Sequence, residues 1–530
     1  MKHATRSTIR AIGLTAGLVV SQSATAEEFR WASSGDAHSL DPYYTVETFS
    51  GSLLLNVYEG LVRRNPKLEL EPSLATSWEQ TDPTTWVFHL REGVRFHDGD
   101  TFDAHDVVFS LERAKGTGSA IKAFFSSIVK AEATDPHTVT FTTSRPNPIL
   151  PQEISAWAIM SKEWAEANGA TQATAGGGEG ENYTTTHANG TGPYIIESRE
   201  PDVRTVFVRN PDWWESPTNN ADTVVFDIIP NSATRVAALL SGDIDMVYNV
   251  PPESIDRLKA APGLKVLEGP SLRTIYLGFD VDRPELTVSS VKGANPFKDI
   301  RVRQAISHVI DAEGIVRTVM RGQAVPIGMM AGPGVQGYFD DLAGRPAYDV
   351  EKAKALMVEA GYPDGFEVEM DCTNDRYIKD GDVCQAAAIM MAKIGIKVSL
   401  NAQSKTKVFP KIFAPNFDTP FYLLGWAPAS YDIHSVYERL LYSRGKDPSK
   451  GTYNIGGFSN ETLDALIDRI GSETDPATRN ELIRQATIIA KEEYALLPLH
   501  QEAVVWAMKD AVQIEQYADA YLPFRLVSVE

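Results

Sequence analysis

A chain of 530 residues with 43% hydrophobic and 23% charged residues has the length and apolar content for several cores, which excludes a disordered or fibrous protein. Its formal net charge of −20 excludes a nucleic-acid partner and docking on an anionic leaflet, because both need a basic surface. Such a charge favours solubility and leaves the sign of any pocket open.

Lys2, Arg6 and Arg10 give the chain a positive start, and Ala11 to Val20 is an apolar run too short to span a bilayer. The small residues Ala24-Thr25-Ala26 close the segment. Residues 1–26 therefore read as a secretory signal peptide cleaved after Ala26, which takes the charge of the mature chain to about −23. No cysteine lies near the cleavage point, so no lipid anchor is expected, and no later apolar stretch has the length of a membrane span.

Strand-like and helix-like segments then alternate, the pattern of an α/β protein. Val46 to Leu61 reads as a helix with Leu53, Leu54, Val57 and Leu61 on one stripe. Trp86 to Leu90 and Val139 to Phe141 read as strands, the second after the turn Asp135-Pro136. His97, Asp98, Asp100, Asp103, His105 and Asp106 resemble a metal cluster. A turn at Asp98-Gly99-Asp100 followed by a helix capped by Thr101 or Asp103 explains them better, so no metal is expected. Gly176 to Gly180 is a surface loop without the strand and helix that a phosphate-binding loop needs. Strands follow at Val203 to Val208 and Thr223 to Ile229, then a short helix, Ala233 to Leu240, stopped by Ser241-Gly242-Asp243.

In the second half, Ile300 to Met320 reads as one helix ended by Gly322, and Asp349 caps a helix running to Glu359. Further strands lie at Phe366 to Met370, Lys397 to Leu400 and Phe421 to Gly425. Helices lie at Val383 to Ile394, Glu461 to Ile470 and Pro476 to Glu493. Cys372 and Cys384 are the two cysteines, at a separation that fits neither a redox CxxC nor a four-ligand zinc site. Export permits a disulfide between them, which is the expectation; two buried free thiols are the alternative. No GxSxG elbow or HExxH is present, so no catalytic residue is assigned, and an exported hydrolase stands as a distant alternative.

Several motifs together resemble family 5 of the extracellular solute-binding proteins, the peptide, dipeptide and nickel binders of ABC importers. They are Ser39-Leu40-Asp41-Pro42 with Val57-Tyr58-Glu59-Gly60-Leu61, and Phe96-His97-Asp98-Gly99 with Asp106 to Ser110. Gly190-Thr191-Gly192-Pro193-Tyr194 with Arg209 to Trp214, Ser241 to Asp245, and Ile300 to Ala305 continue the series. Most of these motifs encode fold.

The resemblance implies a two-lobed periplasmic binding protein fold, type II-like, with the ligand cleft between the lobes. The first lobe would be 27–275 plus 506–530, with 71–184 as an extra subdomain, and the second lobe 276–505. It implies a receptor for a peptide or peptide-like solute, monomeric and without cofactor, that closes about a hinge and delivers to membrane permease subunits. An opine, an oligosaccharide or a chelated metal is the alternative cargo. Val46, Glu47, Thr48 and Phe49 match the family's N-terminal contact loop. Trp426 matches an aromatic lining position, and Arg376 lies near the residue that takes a ligand carboxylate. An aspartate that takes the ligand amine in peptide binders is Ala429 here. Asp432 is the remaining candidate for that amine, with a helix cap as its expected role.

Overall fold

The computed structural model describes residues 27–174, 182–428, 430–447 and 449–530. The signal segment 1–26, most of the glycine-rich loop and Ala429 lie outside the described residues.

Two long strands, Leu264–Phe279 and Leu496–Lys509, pair antiparallel from Leu264↔Lys509 to Gly278↔Leu496. Their register slips between Pro270 and Thr274. Among the described residues they run through the middle of an 11-stranded mixed sheet. On one side of them lie Met246–Tyr248, Glu27–Ser33, Ala221–Ile228, Arg204–Arg209 and Tyr194–Glu200; on the other, Phe421–Trp426, Glu367–Thr373 and Lys397–Gln403. Glu27–Ser33 is parallel to both of its neighbours and carries Phe29, Trp31 and Ala32 buried, as a strand covered on both faces must. Helices flank each half of the sheet, and buried side chains form separate cores on either side of the crossing strands. No helix among the described residues is long and apolar enough to cross a membrane.

A separate four-stranded antiparallel sheet, Ala75–Asp82, Thr85–Leu90, Thr138–Thr143 and Ile128–Asp135, packs beneath the helix Ala104–Lys115. Its strands alternate as a half-buried sheet should: Trp86, Phe88 and Leu90 point inward, as do Val139 and Phe141. The acidic cluster beside it has structural roles. Asp103 caps the helix by accepting from the His105 amide, and Asp106 returns a bond to the Asp103 amide at 2.9 Å. His97 Nε2 donates to Gly192 O at 3.0 Å, and burial pushes its imidazole down to about 4.

The motifs converge in the same way. Glu59, almost fully buried, accepts from Thr191 Oγ1, Trp213 Nε1 and Trp214 Nε1 at 2.9–3.2 Å, so three motifs meet on one carboxylate. Gly192 donates to Val57 O at 2.9 Å, and a Cβ on Gly190 would come within 2.1 Å of that oxygen, which leaves room for glycine alone. Asp41 pairs with Arg113, both side chains at 0% exposure. Asp245 pairs with Arg30 and Lys509.

Two expected helices are shorter than the periodicity predicts. The first covers only Thr48–Leu54, because Asn56 turns its amide back onto Ser52 O and Leu53 O and binds Leu522 O and the Phe524 amide. The apolar stripe continues through Val57 and Leu61 as buried coil. The second is two helices, Ile300–Val309 and Ala312–Thr318, divided where Asp311 accepts from the Gly314 amide as a new N-cap.

Candidate functional site

The segment between Thr373 and Asp380 joins the strand Glu367–Thr373 to the helix Asp380–Met391, and Cys372 and Cys384 are bonded across its base. Asp380 organises the turn: its Oδ2 accepts from Thr373 Oγ1 at 2.7 Å and from the Arg376 and Tyr377 amides at 3.1 and 3.2 Å. Glu502 on the crossing strand accepts from the Ile378 amide at 2.7 Å and from Arg273 Nη1 at 3.1 Å. Tyr377 donates to Gly425 O at 3.3 Å and lies against the bare Cα of that glycine. The loop is thus fixed at both ends and to the hinge strands. Replacing both cysteines by serine is expected to cost about 3 kcal/mol of stability in the chain-entropy view, read as a lower urea midpoint.

On this fixed loop the Arg376 side chain is exposed, its guanidinium carbon 5.2 Å from the Tyr377 ring centroid, and no carboxylate pairs with it among the described residues. Trp426 ends the strand Phe421–Trp426, half-buried and edge-on to Tyr453 at 5.0 Å, with a buried Nε1 that has no partner. Tyr377, next to Arg376, thus meets Gly425, next to Trp426.

Val46, in the loop before the helix Thr48–Leu54, is 62% exposed. Glu47 is exposed and accepts from Ser50 Oγ at 2.8 Å, and Thr48 begins the helix. Phe49 instead turns inward, 5.7 Å from both Phe226 and Tyr248. The Tyr248 hydroxyl donates to Ala520 O at 2.6 Å, and burial first, with the Asp519 charge, raises its pKa. Asp432 is at 0% exposure; its Oδ2 takes Arg479 Nη1 at 2.6 Å and its Oδ1 takes the His434 amide at 2.8 Å. Both oxygens are engaged inside the protein, at the start of the helix His434–Leu440.

Three residues absent from the sequence-based expectation come together from distant parts of the chain. Tyr431 donates to Asp519 Oδ2 at 2.9 Å, and Arg64 stacks on the Tyr431 ring at 3.7 Å. Burial raises the Asp519 carboxyl, and the Tyr431 hydroxyl and Arg64 oppose that rise. A small cavity of about 90 Å³ lies here, between Arg64, Tyr431, Tyr517 and Asp519. No short motif marks Asp519, which sits 88 residues from its hydroxyl partner.

The arrangement is a mixed α/β fold in which the long strand pair runs between separate cores, with exposed charged and aromatic groups on the adjoining loops.

Comparison with known proteins agrees. The chain is 26% identical over 509 residues to the glutathione-binding protein GsiB of Escherichia coli O1:K1 / APEC, covering 95% of this chain and 94% of that one. It is 28% identical over 469 residues to heme-binding protein A of Haemophilus influenzae, covering 84% and 81% respectively. The solved periplasmic binding protein AgaA from A. tumefacien R10, in complex with agropinic acid, superposes with a TM-score of 0.74 at 26% identity, over 95% of this chain and 99% of that one. Residues 69–448 match the middle region that defines a family of binding proteins. The chain belongs to the bacterial extracellular solute-binding proteins, family 5.

Proposed function

We propose that the chain is the periplasmic receptor of an ABC importer, exported by cleavage after Ala26, that captures a peptide-like solute bearing an anionic group. The observation that carries the ligand class is Arg376: a guanidinium without a carboxylate partner, presented on a loop fixed by Asp380, Glu502 and a disulfide. Its planar fork matches a carboxylate, and Trp426 packs against the ligand body. Glutathione, heme and agropinic acid, for which the relatives are named, share no scaffold but all carry carboxylates. Ala429, in place of the amine-binding aspartate, favours a solute without a free amino terminus.

The first lobe is 27–275 plus 506–530, with 71–184 as its extra subdomain, and the second is 276–505. The register slips between Pro270 and Thr274 and between Ile275 and Tyr276 support a hinge in this part of the strand pair. The binding role needs no catalytic residue.

Mass spectrometry of the solute released from periplasmic protein identifies the ligand, and calorimetry with it tests the anchor. Arg376→Ala is expected to weaken binding about a hundredfold, or about 2.7 kcal/mol. A change within about threefold rejects Arg376 as the anchor.

A further inference from the structure

The second lobe carries a partly open cavity of about 440 Å³, formed by different residues from the cleft. Gln304 and Ser307 of the helix Ile300–Val309 form one wall, and the last turns of the helix Pro476–Glu492 form another. Met329, Met330, Leu441 and Leu497 give it an apolar lining. A volume of this size falls within the range that holds small organic ligands.

Its charges are unbalanced. Arg345 lines the cavity with a buried Nη2 that has no hydrogen-bond partner, and it pairs with no carboxylate among the described residues. Burial alone pushes this guanidinium down to about 10, so it stays charged at neutral pH with nothing to offset it. Lys491 lines the same space; its Nζ donates to Gly328 O at 2.8 Å and Gly344 O at 3.0 Å, and burial and the Arg345 charge lower its pKa. His500, fully buried on the adjoining crossing strand, has no partner for either ring nitrogen. Burial and Arg345 push it down to about 4, so it is neutral. The carboxylate on the wall, Glu492, is exposed and pairs with neither cation. Arg345 is only half-buried, but an anion entering the cavity would supply the carboxylate partner it lacks.

We propose that this cavity is a second binding site, distinct from the cleft between the lobes, for a small organic monocarboxylate with an apolar body. The Arg345 fork takes the carboxylate, and the methionine and leucine side chains take the hydrocarbon. One negative charge fits better than two, because Lys491 is already held by two carbonyls and Glu492 stands on the same wall.

Calorimetry and thermal unfolding with hexanoate and phenylacetate, against hexanamide and phenylacetamide, test the site. The carboxylates are expected to bind and to raise the unfolding midpoint, while the isosteric amides do neither. Arg345→Met is expected to weaken carboxylate binding at least tenfold, and Arg376→Ala to leave it within about twofold. If Arg345→Met fails to fold, Gln304→Trp fills the cavity from a half-buried position with the guanidinium in place, and loss of binding in it supports the site. The proposal is overturned by carboxylates that do not bind, by amides that bind equally, by binding that survives Gln304→Trp, or by binding lost in Arg376→Ala and retained in Arg345→Met.

Discussion

Asp41→Ala is expected to lower the stability of the first lobe by about 3–5 kcal/mol, the usual cost of orphaning one member of a buried ion pair. Arg113 Nη1 and Nη2 reach the two Asp41 oxygens at 2.8 and 2.5 Å, and both side chains are at 0% exposure. Asp41 also accepts from the Tyr43 amide and from Thr184 Oγ1, both at 2.9 Å. Alanine removes four bonds at once and leaves a guanidinium with only carbonyl and hydroxyl neighbours. Asp41→Asn retains some bonds but not the charge, so it should fall between alanine and wild type. Urea unfolding followed by tryptophan fluorescence reads the difference as a shift in midpoint. A loss under about 1 kcal/mol for Asp41→Ala would show that the pair adds little beyond its desolvation.

Asp432→Asn is expected to cost a similar amount, about 3–5 kcal/mol, this time in the second lobe. Arg479 would keep its bond to Ile470 O but lose its counter-ion, with Nη2 already buried and unpartnered. The effect should reach the hinge side as well, because the neighbouring Tyr431 holds Asp519 across the lobes. The measurement also separates two roles for this carboxylate. A structural role lowers the urea midpoint, with ligand affinity following stability. A hundredfold loss of affinity at unchanged midpoint would instead make Asp432 the partner of a ligand amine.

Much of the fold was legible because local chemistry and tertiary demand agree. Asp349 caps its helix, Gly242 and Gly395 end theirs with positive φ, and the alternation of Trp86 to Leu90 matches a sheet buried on one face. Periodicity failed where a polar side chain interrupts an apolar stripe. Asn56 stops the helix that Val57 and Leu61 seemed to extend, and its partners Leu522 and Phe524 lie at the far end of the chain. Asp311 likewise restarts a helix that apolar spacing reads as continuous.

The candidate site was read from resemblance: Arg376 from its place in the loop after a strand, and Trp426 from its place at the end of one. Asp519, Tyr431 and Arg64 carry no local signal, since only the hinge brings them together. Arg345 was invisible for a different reason: what distinguishes it is the absence of a partner, and no spacing in a sequence encodes an absence.

The bonds that tie the two ends of the chain also set a timetable. Asn56 waits for Phe524, 468 residues later, and Asn220 waits for Val529, 309 residues later. At synthesis rates of about 5–20 residues per second, roughly 15–60 s separate Asn220 from its partner. Through that interval the first lobe is an unfinished sheet whose closing contacts do not yet exist, and its folding is slowed further by the sequence distance those contacts must span. Residues 522–529 thus complete a sheet that residues 27–33 begin, so the first lobe closes only on contacts distant in sequence.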